Sequence, residues 1–348
     1  MAADGSGPQS PMTPAQIRAL REEAPNLRAR DFSHQYNLAE AELVAAQVGH
    51  NATRIQAHPD DLMPLVGQLG DVMALTRNES CVIERRGVYE DYHSGGHAQM
   101  VLGKEIDLRF FARHWVSAFA VSDGDKRSIQ VFDAAGDAVH KIHLKPESDV
   151  PAFDRLVEAL KLDDQSDVIL LEPRAPVEAA KGDPAKADTL RAEWDRLTDT
   201  HQFLRLTAKL KMNRLGAYRM AGAPYVRALQ PGAVNGLLEQ AAAQAIPVMI
   251  FVGNMGCIEI HGGTIETVKP MGPWINVLDP RFNLHLRGDH IAEVWLVEKP
   301  TKQGPAISVE AFDAKGGLIL QIFGSRRDGG IAEFNAMVAG LPGLEGAQ

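Results

Sequence analysis

Cysteine is scarce: two in 348 residues cannot build a disulfide scaffold or a thiolate zinc site. No apolar run approaches the ~20 residues of a membrane-spanning helix, so the chain reads as not membrane-embedded. An excess of basic charge is also missing. Thirty-six Lys and Arg stand against 45 Asp and Glu, a net charge of -9, which argues against nucleic acid as a partner and leaves room only for a local basic pocket. Several signatures that announce an enzyme class are absent: a GxGxxG opening a helix, a GxxxxGK followed by Ser or Thr, an HExxH and a GxSxG elbow. The first residues, Met1 to Pro14, have neither a basic n-region nor an apolar h-region, and read as a flexible tail on a cytoplasmic protein.

What is present is an ordinary globular composition, 45% hydrophobic and 23% charged. The length exceeds what one core usually organises, so two units of roughly 170 residues are expected. An internal repeat supplies them. Sliding the chain by 176 places residues 72–121 on 248–297 without a gap, with twelve of fifty positions identical, among them Asn78/Asn254, Cys81/Cys257, Gly87/Gly263, Leu108/Leu284 and His114/His290. After an insertion around Pro300 to Gln303 the register continues at 180, with Phe132-Asp133 on Phe312-Asp313 and Ile142 on Ile322. The expected organisation is a tail over 1–13, repeats over 14–161 and 189–348, and a Pro-, Ala- and charge-rich linker over 162–188.

Within each repeat the pattern is helices, then strands, then a helix. Thr13-Pro14-Ala15-Gln16 has an N-cap, a proline at the first helical position and Gln at the third, which starts a helix through Glu23. Asn37 with Glu40 predicts a second start. From Asp71 to Leu144, and again from Val248 to Phe323, short Val-, Ile- and Phe-rich stretches punctuated by Gly, Pro and Asn predict a meander of antiparallel strands. Segregated helices and strands define an α+β fold, a tandem duplication with a large antiparallel sheet in each half.

Residues special to one copy are the natural candidates for a site. Leu190, Trp194, Leu197, His201, Leu204 and Ala208 recur at three and four, predicting one helix from about Ala185 to Lys211 with His201 inside its apolar stripe. The residue 176 earlier is Pro25. A histidine there is either a core residue hydrogen-bonded to a carbonyl or a ligand to a metal or metal-containing cofactor. Arg214, aligned with Leu38, is by itself a surface residue. In Ile106-Asp107-Leu108-Arg109-Phe110-Phe111, Arg109 and Phe111 share a strand face; they fit an edge strand with Arg109 pairing a carboxylate, or a cation and ring lining a ligand pocket. Lys299, Arg326 and Arg327 read first as a solvated basic face. His93 and His97 flank a Gly loop and read as exposed, with a metal the alternative. His140 and His143 point to opposite sides of one strand, and Cys81 and Cys257 read as small core residues.

The segment WDRLTDTHQFLRLTAKLKMNRLGAYRM (Trp194 to Met220) resembles the hallmark of the cytoplasmic haemin transport and haemin-degrading factors of Gram-negative uptake systems. IDLRFF, VGNMGCIEIHGG, PWINVLDPRFNLHLR and LVEKPTKQG resemble further signature segments of that family, and the likeness covers almost the whole chain after the tail. It implies one haem b held between a helix of the second half and the sheet of the first. His201 becomes the proximal iron ligand, Arg109 and Phe111 lie on the distal side, and Arg214 and Lys299 reach the propionates, with Arg326 a further candidate. Phe323 departs from the tyrosine common in that family segment.

These roles are chemically coherent. Haem is an apolar disc with iron at its centre and two carboxylates at one edge, so it requires an apolar slot, an axial donor and a cationic rim. The resemblance implies iron acquisition: haem accepted from an inner-membrane uptake transporter, then passed to a downstream acceptor or degraded. A pure chaperone without catalysis is the alternative, and a haem-free metal hydrolase using His93 and His97 a more distant one. An oxygenase-like or reductive ring opening, with Arg109 as its distal catalytic group, requires an external reductant because the chain has no flavin or nicotinamide motif. Monomer and homodimer are both compatible with the sequence.

Overall fold

The computed structural model describes residues 12–344, so the expected tail lies, apart from residues 12 and 13, outside the described residues. The first repeat runs α1 (Pro14–Glu23), α2 (Ala29–Tyr36), α3 (Glu40–Ala45), β1 (Ala52–Ile55), α4 (Pro59–Val66), β2 (Val72–Arg77), β3 (Cys81–Gly87), β4 (Tyr92–His93), β5 (Gln99–Leu102), β6 (Asp107–Phe110), β7 (Ser117–Asp123), β8 (Lys126–Phe132), β9 (Ala138–Leu144) and α5 (Val150–Leu160). The second runs α6 (Ala187–Trp194), α7 (Gln202–Leu210), α8 (Arg214–Ala221), β10 (Val226–Leu229), α9 (Ala233–Ala243), β11 (Val248–Gly253), β12 (Cys257–Gly263), β13 (Val268–Met271), β14 (Trp274–Asp279), β15 (Phe282–Arg287), β16 (Glu293–Lys299), β17 (Ala306–Phe312), β18 (Leu318–Gly324) and α10 (Ile331–Ala339). The α+β duplication is therefore present element by element. No helix among the described residues is long and apolar enough to cross a membrane.

Local chemistry sets most boundaries. α1 starts as predicted: the Gln16 amide donates to Thr13 Oγ1, and the Gln16 side chain accepts from the Thr13 amide. Asn37, by contrast, ends α2 in a left-handed conformation (φ 53°) and does not start a helix; Ala39 precedes α3 and is capped by the Glu42 carboxylate. Short Asn side chains tolerate the left-handed region, so the same residue serves a helix end as readily as a start.

The repeat register needs one correction. From β2/β11 to β7/β16 the elements start 175 or 176 residues apart, and from β8/β17 on 180 or 181, but α3/α8, β1/β10 and α4/α9 start 174 apart and α2/α7 end 174 apart. Two extra residues lie in the α9 segment ahead of β11. The counterparts of His201 and Arg214 are thus Leu27 and Glu40, where an ungapped count gives Pro25 and Leu38.

Among the described residues the strands form two nine-stranded sheets, ordered β1-β7-β8-β9-β2-β3-β15-β14-β13 and β10-β16-β17-β18-β11-β12-β6-β5-β4. Every ladder between named strands is antiparallel. Each sheet is composite: β4–β6 of the first repeat extend the second repeat's sheet, and β13–β15 of the second extend the first's. Arg109 therefore belongs by sequence to the first half but by hydrogen bonding to the second half's sheet.

The crossover is stitched by repeat-related residues. Asn78 Nδ2 donates to the Ile319 carbonyl (2.8 Å), and Asn254 Nδ2 to the Arg77 and Val139 carbonyls (2.9 Å each). Arg85 and His261, 176 apart, meet each other at 2.9 Å, and Arg281 pairs with Glu105, its own counterpart. Helices then cover the second sheet on both sides. α9 and α10 pack on Val248, Ile250, Ile322 and Val309, whereas Trp194, Phe203 and Tyr218 from α6–α8 pack on Val226, Val297 and Phe312.

Candidate functional site

The predicted helix over 185–211 is broken between α6 and α7 by the turn Thr198-Asp199-Thr200-His201. Asp199 Oδ1 accepts from the His201 amide at 2.7 Å, and Gln202 Oε1 from the Thr198 amide at 2.9 Å. Such side-chain bonds to nearby amides compete with helical ones. Of the expected stripe, Leu190, Trp194 and Leu197 reach the core, but His201, Leu204 and Ala208 do not: α7 buries Phe203, Leu206 and Leu210 instead, Leu204 and Ala208 are exposed, and the His201 imidazole is 93% exposed. Its Nδ1 meets Asp199 Oδ1 at 2.7 Å, and among the described residues its Nε2 has no hydrogen-bond partner. The histidine is thus neither of the core type nor rotationally loose.

The turn borders a cleft of about 390 Å³, with Thr198, Asp199 and Thr200 on one wall and Met249, Phe251 and Phe323 on the sheet. Directly paired residues of an antiparallel ladder share a face. Phe323 pairs with Met249 and with Ser308, Phe251 with Ile260, Gly253 with Ile258, Ile258 with Arg109, and Arg109 with Met100. One face of the second sheet therefore carries the aromatic floor beside the His201 turn and, two strands or about 10 Å further on, Arg109. Phe323 stacks edge-on against Phe251 with ring centroids 5.4 Å apart. Lacking a hydroxyl, it offers the cleft only a ring.

β6 is an interior strand, and Arg109 there hydrogen-bonds Asp107 on the same face and the Leu108 carbonyl (2.9 Å). The carboxylate pairing expected of an edge strand is present without the edge. Phe111 follows the end of β6, its amide donating to the Gly256 carbonyl at 2.9 Å, and is half-buried.

Lys299 is not on a solvated face. It is 3% exposed, with Nζ 2.9 Å from the Tyr218 hydroxyl and 3.1 Å from Glu310 Oε1. Arg214 Nη1 donates to Glu310 Oε2 at 2.9 Å, as does the Tyr218 hydroxyl, and Ser308 Oγ donates to Oε1 at 3.0 Å. Burial drives the Lys299 ammonium down to about 8 despite the attraction of Glu310, whereas Lys299 and Arg214 overcome the burial of Glu310 and hold it at about 2. Two cations share one carboxylate, leaving one positive charge in excess at neutral pH. Ala306, the cross-strand partner of Lys299, lines the cleft, so this charge lies beside it on the same sheet face.

Arg326 also lines the cleft, but its guanidinium donates to the carbonyls of Gln303 (3.0 Å) and Pro305 (3.3 Å), shaping the 301–305 loop. Lys302 stands beside it. Glu310, Lys302, Phe251 and Met249 escaped the sequence reading. An acid inside the apolar strand Ala306–Phe312, aligned with Gln130, was a usable signal for Glu310; nothing local singles out the others.

The remaining candidates lie elsewhere. His140 is a satisfied core histidine, bonded to Thr76 and Tyr89 and pushed down to about 3 by burial. Cys81 and Cys257 are buried and unpaired. His93 is exposed and pairs with Asp91 at 2.9 Å, and no cluster of three or more His, Cys, Asp or Glu suited to a metal occurs among the described residues.

A histidine with one ring nitrogen unpartnered among the described residues, carried by the turn that borders a cleft floored by Met249, Phe251 and Phe323 and flanked by buried positive charge, fits a planar, apolar, anionic iron chelate better than a bare metal ion. The family comparison agrees: the haemin-degrading HemS.ChuX domain matches twice, over residues 37–160 and 211–341, and the chain belongs to this family. It is 38% identical over 313 residues to the hemin transport protein HmuS of Yersinia pestis, covering 88% of this chain and 90% of that one. It is 42% identical to holo-PhuS, a heme-binding protein from Pseudomonas aeruginosa, covering 96% of this chain and all of that one with a TM-score of 0.91. ChuS, described as an E. coli heme oxygenase, is 32% identical over 92% of this chain and 98% of its own, with a TM-score of 0.83.

Proposed function

We propose that this chain holds one haem per molecule on the face of its second sheet that carries Met249, Phe251 and Phe323, as the haem-receiving component of an iron-acquisition system. The observation that carries the reading is His201: an imidazole held by Asp199 on the turn that borders the cleft, its Nε2 without a hydrogen-bond partner among the described residues. In this reading His201 Nε2 would supply the iron's protein donor, Met249, Phe251 and Phe323 would contact the ring, and Arg109 would supply a guanidinium from the sheet. Lys302 and Arg326 would face the propionates, and Arg214 and Lys299 would act on them through the excess charge beside the cleft. Bound iron would supply Lewis acidity and redox chemistry; the protein supplies orientation, ring contacts and charge. The setting we propose is the cytoplasm, with an inner-membrane transporter as haem donor and a downstream acceptor or ring-opening reaction as its fate. Ring opening requires electrons from outside, because no nucleotide-cofactor motif occurs in the sequence.

The direct test is haem titration followed at the Soret band. One break at one equivalent is expected, since Leu27 and Glu40 stand where His201 and Arg214 do in the second repeat. Two equal tight sites contradict the reading.

A pH dependence follows from Lys299. Below about 8 the Arg214, Lys299 and Glu310 cluster carries an excess positive charge, and above it the ammonium deprotonates and the excess is lost. Release of haem to apomyoglobin should therefore quicken between pH 7 and 9. Haem dimethyl ester, whose edge is uncharged, should show no such acceleration; equal profiles for the two ligands mean the propionates do not sense the cluster.

A further inference from the structure

We propose that Asp199 is the positioning residue that fixes the tautomer of His201 and sets the donor strength of its Nε2; the proposal rests on the haem reading above. Three observations carry it. First, a single oxygen, Oδ1, meets both the His201 amide and the His201 ring Nδ1 at 2.7 Å, so backbone and imidazole are fixed by the same carboxylate. The Asp199 carbonyl in turn accepts from the Gln202 amide at 3.2 Å, which ties the turn to the start of α7. Second, among the described residues His201 is the one partner within ion-pair distance of Asp199; Arg205 acts on the carboxylate only from farther off, without contact, so its closest charge interaction is with the imidazole. Third, the pair is peculiar to the second repeat: at the 174-residue offset Asp199 aligns with Pro25 and His201 with Leu27, so carboxylate and imidazole are lacking together in the first.

The chemistry follows from tautomerism. A neutral imidazole carries one ring proton, and a carboxylate at Nδ1 holds it there, leaving the Nε2 lone pair directed outward. The negative partner also pushes electron density into the ring, making Nε2 a stronger donor, and a stronger anionic-character donor favours ferric over ferrous iron. A purely structural role for Asp199, closing the turn, needs only an oxygen acceptor, which asparagine also provides. Charge and turn geometry can therefore be separated by one substitution.

The full-length chain loaded with haem is compared with its Asp199→Asn, Asp199→Ala and His201→Ala variants, reading the iron–histidine stretch of the ferrous form by resonance Raman and the midpoint potential by spectroelectrochemistry. Asp199→Asn is expected to keep one haem per chain and the far-UV circular dichroism of the parent, lower the stretching frequency, and raise the midpoint by about 60 mV, a tenfold loss of ferric preference for a one-electron couple. Asp199→Ala should shift both at least as far. If both Asp199 variants keep the parent's stretch and potential while His201→Ala loses the stretch, His201 is the ligand and Asp199 merely closes the turn, which overturns the proposal alone. If His201→Ala itself keeps the parent's stretch, the ligand reading fails and takes the proposal with it.

Discussion

His201→Ala is expected to remove the iron–imidazole signature and move the Soret band, with haem release at least ~10-fold faster, the lower end of what losing even an outer-shell partner of a metal ligand costs. The substitution should leave the fold intact, because the imidazole is 93% exposed and contributes nothing to the core under α7. Arg109→Ala should do the converse. It lies on the sheet face, bonded to Asp107 and clear of the turn, so the histidine–iron bond should persist while the sixth ligand changes, seen as a displaced acid-to-alkaline transition of the ferric form. A protein that opens the ring should also lose rate on this change, since charge placed where negative charge develops stabilises that step. An unchanged spectrum for His201→Ala would leave the family and fold standing and remove the axial assignment.

Glu310→Ala should be the most destabilising change near the site. The carboxylate is fully buried and is shared by Arg214, Lys299, Tyr218 and Ser308, which come from α8, β16 and its own strand. Removing it leaves the buried Lys299 and the partly buried Arg214 without a counter-charge, a situation that costs about 3–5 kcal/mol. Urea unfolding is the measurement, and Glu310→Gln, which keeps the shape and loses the charge, should fall on the same side of the parent. The acid limb provides a second check. Glu310 titrates at about 2 in the folded chain against an ordinary 4.5, so its stabilisation is fully present above about 4.5 and is lost as pH falls toward 2. The Gln variant should show a shallower acid loss. If both variants unfold at the parent's urea midpoint, the cluster does not hold α8 to the sheet.

The amino-acid sequence by itself determined the duplication, the α+β order and the family, because these rest on local and repeated patterns: Thr13 and Gln16 at a helix start, period-two apolar strands, and residue identities recurring at a constant spacing. It also singled out His201 and Arg109 as residues without a twin. Only the tertiary structure decided which sheet each strand joins. Nothing in β4–β6 states that they pair with β12 and not with β3, since a strand's alternation specifies a buried face and is silent about the partner along its edge. The exposure of His201 was decided in the same way. Its spacing fits an apolar helical stripe, but Asp199 and Gln202 claim the amides of the turn, and the helix stops before the stripe reaches it. Lys299 shows the reverse. A lysine near a loop reads as solvated until β17 brings Glu310 and α8 brings Tyr218 and Arg214 against it, and charges that are distant in sequence make burial tolerable only once they are adjacent in space.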